Sequence, residues 1–189
     1  MRAFAPVLLA LTVGVAVPAR AGTDSTRTLE FLGFSTDASQ YLLKVSDANA
    51  GDFLSLRSFD TGKQVKAVQI PQKKDEKKLV EDARKQFRIT DKGVDAPQSP
   101  DGRFTLTGVP KGAQFILNVL KGDKTARFQA LTLESGRSGP ARASLKSVFW
   151  SKDGRRIVVV VHKKLVDENG IDVDEAHPYD FLVGGLNFR

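Results

Sequence analysis

The amino-acid sequence predicts a mainly β protein of antiparallel sheets with a single amphipathic helix. Three observations predict it. Short apolar or alternating runs recur along the chain, separated by breaks rich in Gly, Asp and Ser. β-Branched residues gather in these runs, most densely at Val158-Val159-Val160-Val161. Only the stretch from Lys73 to Phe87 has helical spacing. The 189 residues are 41% hydrophobic and 27% charged, with Phe 12, enough for one core and too apolar for wholesale disorder. Cys 0 excludes disulfides, thiolate nucleophiles and Cys-ligated metals.

Residues 1–21 read as a secretory signal peptide. Arg2 supplies the positive start, Ala3 to Val17 carries no charge, and Ala19-Arg20-Ala21 is a small-x-small cleavage site. Pro18 and Arg20 end the apolar run before the ~20 residues a membrane-spanning helix needs. One domain is expected over 22–189, periplasmic or secreted, with no transmembrane span after processing. Processing removes two Arg from Lys+Arg 29 and none of Asp+Glu 22, leaving a net charge of +5. In an exported protein this surplus disfavours nucleic acid as a partner. An envelope protein, or an anionic envelope polymer or lipid surface, is the expectation.

The elements follow in order. Thr28–Phe34 is the first strand, Ser35–Ser39 a polar break, and Tyr41–Val45 the second strand. Ala48–Asp52 turns into Phe53–Phe59, which alternates as a half-buried strand should. Asp60-Thr61-Gly62-Lys63 turns into Gln64–Ile70, closed by Pro71. The helix is expected at about 73–88. Leu79, Val80, Ala83 and Phe87 form its apolar stripe, Glu81 and Lys85 stand four apart in the favourable order, and Gly93 is a stop. Val94–Pro100 reads as a loop. Strands resume at Arg103–Thr107, Gln114–Leu120 and Thr125–Leu133, the last two joined across Lys121-Gly122-Asp123-Lys124. After the Ser135–Pro140 loop come Leu145–Trp150, the Ser151–Gly154 turn and Arg156–His162, whose unbroken valines imply burial on both faces. Asn169-Gly170 predicts a type I′ hairpin, with a return strand interrupted at Pro178 and a final strand at Phe181–Val183.

One pattern recurs. Phe34-Ser35-Thr36-Asp37-Ala38 precedes Tyr41-Leu42-Leu43, Ser99-Pro100-Asp101-Gly102 precedes Phe104-Thr105-Leu106, and Trp150-Ser151-Lys152-Asp153-Gly154 precedes Ile157-Val158-Val159. Ser and Asp side chains bond nearby backbone N–H groups, and Gly relieves a left-handed position. Phe34 or Trp150 plugs the core just before the turn. These units resemble the hairpins of TolB-like and WD-type β-propeller blades, and Phe59-Asp60-Thr61-Gly62-Lys63 resembles the outer turn of such a blade. The repeats start 64 and 52 residues apart, against about 40–45 for a blade. The resemblance therefore implies an incomplete propeller or open sandwich of blade-like sheets. The order of leader, Phe31-Leu32-Gly33-Phe34-Ser35, hairpin, charged helix, Phe87-Arg88-Ile89 and closing hairpins is also similar to a family of predicted secreted bacterial proteins of unknown function. That resemblance implies no activity or cofactor.

Chemistry-bearing residues are few. There is no Gly-x-Ser-x-Gly, His-Glu-x-x-His or Gly-x-x-x-x-Gly-Lys motif. A hydrolase with a dispersed site would need His162 or His177 joined to an acid and a Ser. No cofactor is expected. Ca²⁺ is the one cation the acidic stretch Asp167–His177 suggests, with Asp172 and Asp174 on one strand face, although the stretch breaks the EF-hand frame. Lys73, Lys74, Lys77, Lys78 and Arg84 form the basic helix face that an anionic polymer or lipid would meet. The leading expectation is a noncatalytic exported module, binding through loops or through that face.

Overall fold

The computed structural model describes residues 25–71, 75–137 and 139–189. The expected signal peptide, Lys73 and Lys74 lie outside these described residues.

The chain runs β1 (Ser25–Ser35), β2 (Gln40–Asp47), β3 (Gly51–Ser58), β4 (Gln64–Gln69), α1 (Glu76–Gln86), β5 (Ile89–Asp91) and β6 (Val94–Asp95). It continues β7 (Thr105–Lys111), β8 (Gln114–Lys121), β9 (Lys124–Thr132), β10 (Ser135–Gly136), β11 (Gly139–Pro140), β12 (Arg142–Trp150), β13 (Arg156–Val166) and β14 (Asp172–Leu182), then a 3₁₀ turn at Val183–Gly185. The protein is mainly β with one α-helix among the described residues, and its sheets stay open. A nine-stranded sheet has the order β4-β3-β2-β1-β14-β13-β12-β6, with β5 added beside β1. Strands β7-β8-β9 form a separate antiparallel sheet.

The large sheet creases where β1 meets β14. That pairing is parallel and spans only Ser25–Arg27 against Val173–Glu175, while β5 takes the far end of the same β1 edge. The two halves therefore face each other. Phe34, Tyr41, Leu43 and Val45 of the β1–β2 half pack with Phe59 against Val158 of β13, and the Phe31 and Phe149 rings stack at 4.3 Å. The opposite face of β12–β14, carrying Val148, Trp150, Ile157, Val159, Val161 and Phe181, packs on Leu106, Phe115, Leu117 and Val119 of the three-stranded sheet. The layers are thus α1, β1–β4, β12–β14 and β7–β9. A central layer covered on both faces explains the unbroken valines: Val158 to Val161 are each at most 2% exposed. Burying a valine side chain contributes about 1.5–3 kcal/mol.

Local chemistry sets the elements. Asp75 caps α1 by accepting the Lys78 N–H, and the predicted stripe of Leu79, Val80, Ala83 and Phe87 packs on Leu42, Leu54 and Leu56. The helix ends before the predicted Gly93: Phe87 is its C-cap, and Arg88 takes the left-handed position at φ 52°. A bulge between Phe31 and Gly33 leaves Leu32 without a partner in β2, and it turns to the helix side while Phe31 and Phe34 point into the crease. The Asn169-Gly170 turn is not type I′. Only Gly170 has positive φ, and Asp167 closes a longer loop by accepting the Asn169 and Ile171 N–H groups at 2.8 Å each. Pro178 does not interrupt β14, which runs unbroken to Leu182 opposite β13. Beyond Glu175 the other edge of β14 has left β1, and proline is tolerated on such an edge.

The recurring turn folds the same way three times. Ser35, Ser99 and Ser151 are 6%, 4% and 1% exposed. Each Oγ donates to the Asp two residues on, at 2.6, 2.7 and 2.5 Å. Each Oγ also accepts the N–H five residues on, from Gln40, Phe104 and Arg156, at 3.0 Å in every case. The left-handed position is Ala38 in the first turn and glycine in the others, Gly102 and Gly154. The Ser35 hydroxyl, then the Ser39 N–H and hydroxyl, hold the Asp37 carboxyl down at about 2. The Ser99 hydroxyl and the Arg103 N–H do the same for Asp101, also at about 2. Phe34 and Trp150, just before their turns, are both 0% exposed.

Candidate functional site: a cationic cleft

The second and third turns lie side by side. A Cβ added at Gly154 would sit 3.7 Å from Asp101 Oδ2 and 3.8 Å from Pro100 Cδ. Basic residues from just past each Asp-Gly line a common cleft of about 620 Å³. Arg103 comes from the second turn, Arg155 and Arg156 from the third, and Lys121 from the end of β8. Phe104, Leu182, Val183, Leu186 and Phe188 supply the apolar lining.

The cleft is built rather than loose. The Phe104 and Phe188 rings stack at 5.8 Å, and Phe104 stacks in turn on Trp150 at 6.5 Å, so this wall continues into the core. Arg189 pairs its backbone with Thr125 in both directions, at 3.1 and 3.3 Å, which anchors the segment carrying Phe188. Lys121 Nζ lies 5.9 Å from both ring centroids, a cation held over two π-faces. Arg103 lies 5.6 Å over Phe104 and is paired to Asp101, with Nε and Nη2 each 2.6 Å from Oδ2. Arg156 also lines the cleft, but its guanidinium lies 5.9 Å over the Phe59 ring of the crease cluster, with Nε buried and without a hydrogen-bond partner. No lining residue is acidic. Burial opposes ionisation of nearby Asp153, but the Ser151 hydroxyl, the Arg155 N–H and the Arg156 and Arg155 charges outweigh it and hold its carboxyl low. The arrangement suits capture of an anion that also has apolar surface.

The sequence-derived candidates lie elsewhere. Lys77 and Lys78 are exposed on α1 and Arg84 is half-buried two turns on, but Glu81 and Asp82 are exposed between them. Arg84 joins Lys85, Arg88 and Glu81 around a depression of about 460 Å³. Asp172 is exposed, whereas Asp174 is paired to Lys164 at 2.7 Å and to His162. Lys164, and to a lesser degree His162, keep the Asp174 carboxyl low against the effect of burial. Among the described residues no group of three or more His, Asp or Glu is placed to hold a metal.

His177 Nε2 is 3.2 Å from Glu175 Oε2, and Ser25 Oγ donates to Glu175 Oε1 at 2.7 Å. The carboxylate thus stands between hydroxyl and imidazole, whereas nucleophile activation needs the imidazole between hydroxyl and carboxylate. Burial lowers the His177 pKa, against the pull of Glu175.

Sequence reasoning missed Arg103, Lys121, Arg155 and Arg156. A signal for three of them was present: Asp101-Gly102-Arg103 and Asp153-Gly154-Arg155-Arg156 repeat a basic residue just after the turn. No protein-family model matches the chain, and no curated protein sequence matches it significantly.

Proposed function

We propose that the chain is a noncatalytic, exported binding module of the cell envelope, and that its ligand is an anion seated in the cleft between the second and third turns. One observation carries the reading: basic residues, Lys121 and Arg155 among them, and no acidic residue line a cleft with a stacked aromatic wall. The leader-like residues 1–21 support export. The three Ser-x-Asp turns, which share one hydrogen-bond pattern, support kinship with β-propeller blade hairpins, whose loops commonly present binding surfaces. The other reading, binding of an anionic envelope polymer or lipid surface through Lys73, Lys74, Lys77, Lys78 and Arg84, draws on the exposed positions of Lys77 and Lys78.

Ligand-induced rise of the thermal midpoint separates the two. The probes are polygalacturonate, phosphatidylglycerol vesicles and decanoate, each at low and high salt. The cleft reading expects a rise that the double variant Lys121→Met/Arg155→Ser abolishes and Lys77→Ser/Lys78→Ser leaves intact. Loss only in the second pair moves the site to the helix. No rise with any anion refutes both.

A further inference from the structure

We infer that the cleft selects single-chain anionic amphiphiles: one acidic headgroup on an unbranched apolar chain. The inference rests on the anion-binding reading above and narrows its ligand class.

The cations alone would suit any polyanion, but the wall beside them would not. Leu182 is 43% exposed and lies in this cleft next to Leu186 and Phe188. A hydrophilic polymer reaching Arg155 would leave that apolar surface wet. Neither would a flat aromatic anion seat well, because the Phe104 face is already occupied by Arg103 at 5.6 Å and Lys121 at 5.9 Å. What remains open is an aliphatic wall next to positive charge. A flexible chain covers the wall while its headgroup meets Lys121 and Arg155, because the Arg156 guanidinium lies 5.9 Å over the Phe59 ring on the crease side of β13. Arg103 contributes less, since Asp101 already neutralises it. A volume of about 620 Å³ falls within the range of small-molecule sites.

The protein carries its own reporter. Trp150 is the single Trp, is 0% exposed, and stacks on the Phe104 ring that lines the cleft. Titrating the purified protein with decanoate below its micellar concentration should change Trp150 emission saturably. Octanoate and hexanoate should bind progressively more weakly, by about fourfold per methylene removed. Decanol should bind at least about tenfold more weakly than decanoate, because the charge-assisted bonds are lost. Lys121→Met should weaken decanoate and leave decanol unchanged. Phe188→Ala should weaken both, and its circular dichroism and melting cooperativity report whether the fold survives.

Binding of polygalacturonate or phosphatidylglycerol vesicles without binding of decanoate overturns this inference while leaving the anion-binding reading standing. Decanoate affinity that ignores chain length also overturns it. Failure of every anion to bind removes both.

Discussion

Replacing Ser151 with alanine removes one hydroxyl from the most buried of the three turns. Its Oγ donates to Asp153 Oδ1 at 2.5 Å and accepts the Arg156 N–H at 3.0 Å. Alanine leaves that N–H without an acceptor in a partly buried position, which costs about 1–2 kcal/mol. The lost bond to the carboxylate adds about 1 kcal/mol, since Asp153 keeps the Arg155 N–H and water as partners. The total, about 2–3 kcal/mol, is a large share of the ~5–15 kcal/mol typical of a domain. Urea unfolding followed by Trp150 emission should show the midpoint falling by about 1–2 M with the slope unchanged. Ser35→Ala and Ser99→Ala should behave alike, because Gln40 and Phe104 N–H groups meet those hydroxyls at the same 3.0 Å. Ser144→Ala, at an exposed site, should stay within about 0.5 kcal/mol of wild type. Losses below about 0.5 kcal/mol at all three turns would refute the reasoning, because water would then replace each hydroxyl at no cost.

Two further outcomes follow from the core. Gly33→Ala should destabilise by at least about 3 kcal/mol in the same assay, because φ is +133° and the new Cβ would lie 2.6 Å from the Asp91 carbonyl oxygen; a loss under about 1 kcal/mol would show that β5 yields freely. Burial raises the pKa of Asp180, which accepts the Tyr41 hydroxyl at 2.9 Å. The native state then holds its proton above the free-carboxylate value of 3.8, so this group's contribution falls as pH rises through that window. Asp180→Asn keeps an acceptor for Tyr41 and abolishes the slope, so its stability relative to wild type should increase with pH when urea midpoints are compared from pH 4 to 7; a flat difference would show that Arg57 already offsets the burial.

Much of the fold was legible in the sequence because its causes are local. The stripe from Leu79 to Phe87 states which helix face is apolar, and packing had only to cover it, whereas Phe53–Phe59 reads as half-buried but is covered on both faces, Phe53 and Phe59 in the crease and Leu54 and Leu56 under the helix. The repeated Ser-x-Asp was equally legible, since every bond in the turn lies within five residues. Gly93 is not the helix stop, because Arg88 takes the left-handed φ usually left to glycine. The Asn169-Gly170 loop was misread because Asp167, two residues upstream, competes for the backbone N–H groups.

The candidate site was far less legible. The helix lysines drew attention because they are contiguous, whereas Arg103, Lys121 and Arg155 are separated by up to 52 residues and meet only when two turns pack together. By itself the sequence determined most of the long strands, the helix, the repeated turn and the double burial of the valine strand, but not the short strands β5 and β6 or the continuity of β14 through Pro178. What it determined is set by side-chain period and short-range hydrogen bonding. Only the tertiary structure decided that β1 would pair in parallel with β14, that the sheet would crease there, and that two basic turns would converge on Phe104 and Phe188. Those contacts join residues more than a hundred positions apart in the first case and scattered in the others, and no local preference encodes a meeting at such a distance.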